Sequence, residues 1–207
     1  LHRYDPATYS RRSYAAPAQC GFVLPSADGK FIAGLQGGLH RFDPATGAFE
    51  LLVAVETERP GNRLNDGVVD PQGYLWFGTM DDGEHEASGR FYRLDDDGQV
   101  RPRGFGCPIT NGPAFSPDGR TGYFVDTLAR QVWAYDVDAQ GQLDGRRLFA
   151  AIDEGPGYPD GPTVDQDGHV WIGIYDGWCA LRYSPAGALV ETVDLPVANV
   201  TKLAFGG

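Results

Sequence analysis

Asn65, Asn111 and Asp160 share one register: each stands eight positions before a turn glycine, at Gly73, Gly119 and Gly168. Amide and carboxylate oxygens gathered at one point form a donor set for a hard divalent cation such as Ca2+, Mg2+ or Mn2+. Zn2+ is less typical where nitrogen and sulfur donors are so few. Taken singly, Asn65-Asp66-Gly67, Asn111-Gly112 and Asp160-Gly161 also read as turn punctuation, because Asn, Asp and Gly tolerate the dihedrals of tight turns. Their recurrence favours a shared site. The same count back from Gly29 reaches Gly21, which brings no ligand and is expected to leave space. Other hydrolytic chemistries lack their residues: there is no G-x-S-x-G elbow, no serine or cysteine set beside a histidine, and no phosphate-binding glycine loop.

The elements that must position these residues follow from a repeat. The opening LHRYDPAT returns at residues 39–46 as LHRFDPAT, with Tyr4 replaced by Phe42. Turn glycines mark the period: Gly29, Gly73, Gly119 and Gly168, and in the same phase Gly47, Gly98, Gly141 and Gly187. Between them lie short runs rich in aromatic and β-branched residues, such as FIAGL, YLWFGTM, GYFVDT and VWIGIY, then LHRFD, RFYRLD, VWAYDV and ALRYS. Such runs, punctuated by Asp-Gly or Pro-rich turns, predict antiparallel strands, and no amphipathic helix pattern is present.

Each unit therefore reads as a four-stranded antiparallel blade, over residues 20–58, 64–105, 110–152 and 159–197. The fold class is all-β, a β-propeller, with the whole of 1–207 one domain. LHRYDPAT is expected to be the third strand and outer turn of a further blade, and TKLAFGG the start of an inner strand. The chain thus reads as a segment of a larger ring, continuing at both ends. Asn65, Asn111 and Asp160 then stand where innermost strands begin, beside the axis. Asp126, closing GYFVD, is expected to return to the face of Asn111, either touching the site or ending a strand.

Composition limits the partners. Seventeen basic against 28 acidic residues give a net charge of −11, which argues against nucleic acid and anionic membrane surfaces. No apolar run is long enough to span a membrane. The three cysteines, Cys20, Cys107 and Cys179, lack metal or disulfide spacing and read as thiols of a cytoplasmic protein. His2 and His40 occupy equivalent strand-surface positions. Trp76, Trp133 and Trp171 read as blade packing, while Trp178 and Tyr158 are candidates for a pocket rim. The oligomeric state is left open.

Four stretches carry a resemblance: NRLNDGVVDPQGYLWFGTM (62–80), TNGPAFSPDGRTGYFVDT (110–127), YPDGPTVDQDGHVWIG (158–173) and LPVANVTKLAFGG (195–207). Together they make the chain similar to the regucalcin/gluconolactonase family of six-bladed propellers. The resemblance implies hydrolysis of a small sugar-acid lactone with one divalent ion, Ca2+ first and Zn2+, Mg2+ or Mn2+ as alternatives. It implies Asn111 and Asp160 as metal ligands, and Asp160 also as general base; because a carboxylate touching a metal is weakly basic, another group or a metal-bound hydroxide is the alternative base. It implies Arg63 and Asn65 as substrate-binding residues. It further implies an acid from the loop after GTM, Glu84 or Glu86, of which Glu86 is preferred. The family's remaining ligand, a glutamate in a GEGP-like stretch, has no counterpart in this sequence. Two rival functions stay open: a related propeller hydrolase of organophosphates or aryl esters, and a non-catalytic calcium-binding regulator or interaction scaffold.

Overall fold

The computed structural model describes residues 1–152, 155 and 157–205. The hairpin β1 (His2–Asp5) and β2 (Ser10–Ser13) is followed by four antiparallel meanders of four strands. The first holds β3 (Cys20–Pro25), β4 (Phe31–Leu35), β5 (Gly38–Asp43) and β6 (Ala48–Ala54). The second holds β7 (Asn62–Val69), β8 (Leu75–Asp81), β9 (Gly89–Leu94) and β10 (Val100–Cys107). The third runs through β11 (Thr110–Phe115), β12 (Thr121–Asp126), β13 (Gln131–Val137) and β14 (Leu143–Ala151). The fourth comprises β15 (Tyr158–Val164), β16 (Val170–Tyr175), β17 (Cys179–Tyr183) and β18 (Leu189–Asp194). The chain is a partial propeller. The expected blades are present with ends displaced by a few residues, and LHRYDPAT forms a strand and its turn.

The first strands of the blades, β3, β7, β11 and β15, touch one another in sequence and line the axis. The outer strands are the least buried: every residue of β11 is buried, whereas β18 is almost wholly exposed. Segment 195–205 forms no strand, yet it packs on β15 and β16, where Thr201 and Val200 carbonyls approach Gly161 and Gly173.

Both faces of β8 and β12 are buried, so successive residues serve different cores. On β8, Phe77 joins Phe22, Leu39 and Leu64 between the first and second blades, while its neighbour Trp76 joins Phe91, Phe115, Phe124 and Tyr135 between the second and third. On β12, Phe124 faces that second cluster, while Tyr123 and Val125 face Val170 and Ile172 of the fourth blade. This explains near-continuous apolar runs where a single buried face would give strict alternation.

Phe124 is fully buried, edge-on to Phe91 at 4.9 Å and to Tyr135 at 5.2 Å. Phe124→Ala is expected to cost about 3–5 kcal/mol, because the rigid rings around it cannot collapse into the void. Denaturant unfolding of the variant against the parent checks this value.

Two of the inner turns are latched by one device. Asp70 accepts the N–H groups of Gln72 and Tyr74 and, at 2.7 Å, the Trp76 indole N–H. Asp165 repeats this with Asp167, His169 and the Trp171 indole at 3.0 Å. Trp76 thus packs between blades and ties its turn, as expected of a blade aromatic, whereas Trp171 ties its turn while lying half-buried against Phe205 and under Arg182. The cysteines are unpaired thiols; Cys107 is buried, and Cys20 and Cys179 are half-buried. Among the described residues, no helix is long and apolar enough to cross a membrane.

Candidate active site

The polar residues of the repeated register stand where the inner strands break their ladders. Pairing slips between Leu64 and Gly67 on β7, between Asn111 and Ala114 on β11, and between Asp160 and Thr163 on β15. Such bulges re-aim side chains at the rim of a sheet. Here they bring Asn65, Asn111 and Asp160 to one axial cavity of about 620 Å3.

The glycines that follow serve the close approach of neighbouring blades. A Cβ on Gly161 would lie 2.1 Å from the Thr201 carbonyl oxygen, and one on Gly112 2.8 Å from Pro162. Gly21 is small for the same reason: a Cβ there would strike the Leu64 and Asn65 carbonyls at 2.3 Å. Gly21 also lines the cavity, so its lack of a side chain serves the close strand approach as well as the space at the axis.

A chain of hydrogen bonds orients the amides. Thr127 Oγ1 donates to the Pro159 carbonyl at 3.0 Å and accepts from Asn111 Nδ2 at 2.8 Å. Asn111 must therefore present its oxygen on the other side, where Asn65 Nδ2 donates to it at 3.1 Å. Asn65 Nδ2 also donates to the Thr110 carbonyl at 2.8 Å, and Asn65 Oδ1 accepts from Arg63 Nη1 at 2.7 Å. Asn65 is thus a bridge between Arg63 and Asn111. Arg63 is steered from its other edge by Asp82, with Nε to Oδ1 at 2.9 Å, and Asp82 is braced in turn by Gln19.

Asp160 Oδ1 accepts the Gly161 N–H at 2.7 Å. Among the described residues, Oδ2 takes no hydrogen bond. Burial pushes this carboxyl up to about 7; the negative charge of Asp66 adds to the rise, while the Gly161 N–H, Lys202 and Arg63 oppose it. A carboxylate held this far from its ordinary range by burial is under-compensated, which is the situation a cation relieves. The Asn111 amide oxygen and the Asp160 carboxylate are hard oxygen donors, and they fit a divalent ion of the Ca2+, Mg2+ or Mn2+ type.

Glu84, with positive φ, lines the same cavity. Glu86 lines a separate cleft with Glu58, Arg59 and Arg90. The loop is turned this way by Asp81, which accepts the N–H groups of His85 and Glu86. Of the two loop acids it is thus Glu84, and not the preferred Glu86, that lines the cavity with Arg63 and Asn65.

Asp126 also departs from expectation. The register pairs Asp126 with Thr110 and Val125 with Asn111, which sets Asp126 on the opposite face from Asn111. Its carboxyl caps the Ala129 N–H and is raised by burial. Thr127, one residue on, supplies the contact. Tyr158 lines the cavity mouth opposite its strand partner Tyr175, whereas Trp178 is exposed beyond it.

A further group, Asp165, Asp167 and His169, brings oxygen and nitrogen atoms within 4.8 Å of one another. It is the latched turn described above. Arg182 already holds Asp165 at 3.1 Å and His169 at 3.2 Å.

Known proteins share this fold. A family profile described as SMP-30/Gluconolactonase/LRE-like region matches residues 1–207. The chain is 36% identical to a pentonolactonase of Haloferax volcanii over all of its own length and 70% of the relative's. It is 33% identical to a 6-deoxy-6-sulfogluconolactonase of Pseudomonas putida, again over all of this chain and 72% of the relative. The crystal structure of a calcium-binding protein, regucalcin, from Agrobacterium tumefaciens superposes with a TM-score of 0.93 at 32% identity, covering all of this chain and 70% of that one. By its blades, its axial polar register and these similarities, the chain belongs to the SMP-30/gluconolactonase/LRE-like family of β-propellers.

Proposed function

We propose that the protein hydrolyses a small sugar-acid lactone to the open hydroxy acid, with one divalent cation held by Asn111 and Asp160. The observation that carries this reading is the convergence of the Asn111 amide oxygen, the free Asp160 oxygen and the Arg63 fork on one cavity. The relatives whose names state an activity on pentonolactones and a sulfogluconolactone support it.

When bound, the cation supplies Lewis-acid polarisation of the lactone carbonyl. The remaining steps fall to side chains. Asp160 takes a proton from water as the water oxygen bonds to the carbonyl carbon. The ring C–O bond then breaks, and the proton passes to the departing ring oxygen, leaving a carboxylic acid that ionises. Arg63 offers its remaining guanidinium donors to substrate hydroxyl or carbonyl oxygens. Asn65 fixes Arg63 against Asn111, so binding and reacting ends are held in one frame.

Arg63→Lys is expected to raise KM and lower kcat/KM by about 10–100-fold, because one ammonium cannot reach Asp82, Asn65 and substrate together as the planar fork does. Steady-state kinetics on a hydrolysed lactone check it.

The reading itself is tested by comparing rates on a panel of aldonolactones with rates on a phosphotriester and an aryl ester. Rapid turnover of one or more aldonolactones above the spontaneous rate is expected. A preference for the phosphotriester or aryl ester, or no turnover at all, would overturn it.

A further inference from the structure

A second charged pair stands at the axis, formed by residues that the proposed reaction does not use. Asp66 follows Asn65 on β7, and its side chain is 10% exposed. Its Oδ1 accepts the Gly67 N–H at 2.8 Å and Lys202 Nζ at 2.9 Å. Its Oδ2 accepts the Gly112 N–H at 3.0 Å and Lys202 Nζ at 2.7 Å. The carboxylate therefore ties the second blade, the third blade and the segment after β18 together at one point.

Lys202 reaches this position across the face of Asp160-Gly161. A Cβ on Gly161 would lie 2.9 Å from both Lys202 Cα and Lys202 Cδ, so the absence of a side chain at Gly161 is what lets the half-exposed lysine stem pass there. Its Nζ also approaches the Pro162 carbonyl at 3.4 Å. Both charges are felt at Asp160, in opposite senses: Asp66 opposes its ionisation and Lys202 favours it. Arg63 is already matched by Asp82.

We infer that Lys202 sets the divalent-ion affinity of the Asn111 and Asp160 site by cancelling the charge of Asp66. With the pair intact, Asp66 adds no net charge beside Asp160. Without the ammonium, a second buried negative charge faces the bound ion. The ion is then held more tightly, and less of its positive charge is left to polarise a carbonyl. This inference rests on the metal-dependent reading above, and its test reads ion binding itself.

The test is calorimetric titration of the whole protein with Ca2+ and with Mn2+, for the parent, Lys202→Met, Lys202→Arg, Asp66→Asn and the double variant, each checked by thermal melting. Lys202→Met is expected to bind about tenfold more tightly and Asp66→Asn about tenfold more weakly, as the sign of the added charge requires. The double variant and Lys202→Arg should stay close to the parent. A purely structural pair would instead weaken binding in both single variants. If Asp66→Asn does not fold, Lys202→Met against Lys202→Arg carries the test alone. Binding by the parent with equal or weaker binding by Lys202→Met overturns this inference and leaves the lactonase reading standing. No binding of either ion by the parent overturns the metal reading and this inference with it.

Discussion

Asp160→Asn is expected to lower kcat/KM on an aldonolactone by about 10^3-fold or more, since it removes both a proton acceptor and a charged cation donor. The same change is expected to stabilise the cation-free protein above pH 7. Burial lifts the Asp160 carboxyl from 3.8 to about 7. Between those values the folded protein holds a proton that the unfolded chain has released. Stability therefore falls as pH rises through the window, and the cost of the buried charge is complete above about 7. A rise of roughly three units corresponds to a few kcal/mol, at ~1.4 kcal/mol per unit. Asn keeps the shape and the acceptor for Gly161 but carries no charge. Thermal melts with chelator should show the variant above the parent at pH 8, with the gap shrinking to nothing near pH 4. Equal or lower stability at pH 8 would mean that the carboxylate is compensated by other groups.

Asn111→Ala should have the second largest effect. The side chain is 3% exposed and spans two hydrogen bonds, from Asn65 and to Thr127. Truncation removes the amide oxygen offered to the cation and loosens the Asn65 bridge that steadies Arg63. A loss of about 10^2–10^3-fold in kcat/KM is expected, of the size seen when one preorganised polar group is taken from a reaction centre. It also leaves buried polar partners unmatched, at about 1–3 kcal/mol. Thr127→Val keeps the Asn111 oxygen but frees its orientation, so its kinetic loss should be the smaller of the two. Kinetics and denaturant unfolding of both variants separate the lost oxygen from the lost fold stability. An Asn111→Ala enzyme with unchanged kcat/KM would remove this amide from the site.

The propeller was legible because its punctuation is local. Turn glycines such as Gly73, Gly119 and Gly168 are demanded by positive φ, and each marks the same point of a repeating unit. Counting back from them reached Asn65, Asn111 and Asp160. The bulges that aim these residues left no trace, since one extra residue in a strand alters register without altering composition. That one-residue offset is why Asp126 looked like the partner of Asn111 while Thr127 is. The loop acid was misplaced for a related reason. Asp81 curls the chain by accepting two backbone N–H groups, and this turns Glu86 away and Glu84 in. Lys202 was invisible because its partner lies 136 residues earlier. Only the closure of the blades around an axis brings Lys202 beside Asp66. Its one available signal was the likeness of TKLAFGG to an inner strand, which places its first residues at the axial register.

The measurement that tests the account most directly is the initial rate of aldonolactone hydrolysis in a weakly buffered pH-indicator assay, run on the parent and on Asp160→Asn. Each is assayed after chelation and again after Ca2+, Mg2+, Mn2+ or Zn2+ is restored. The account predicts rapid hydrolysis by the parent that disappears with chelator and returns with at least one ion, and no recovery by Asp160→Asn with any of them. Full activity of the parent in chelator, or an Asp160→Asn enzyme restored to parental rates, would contradict it.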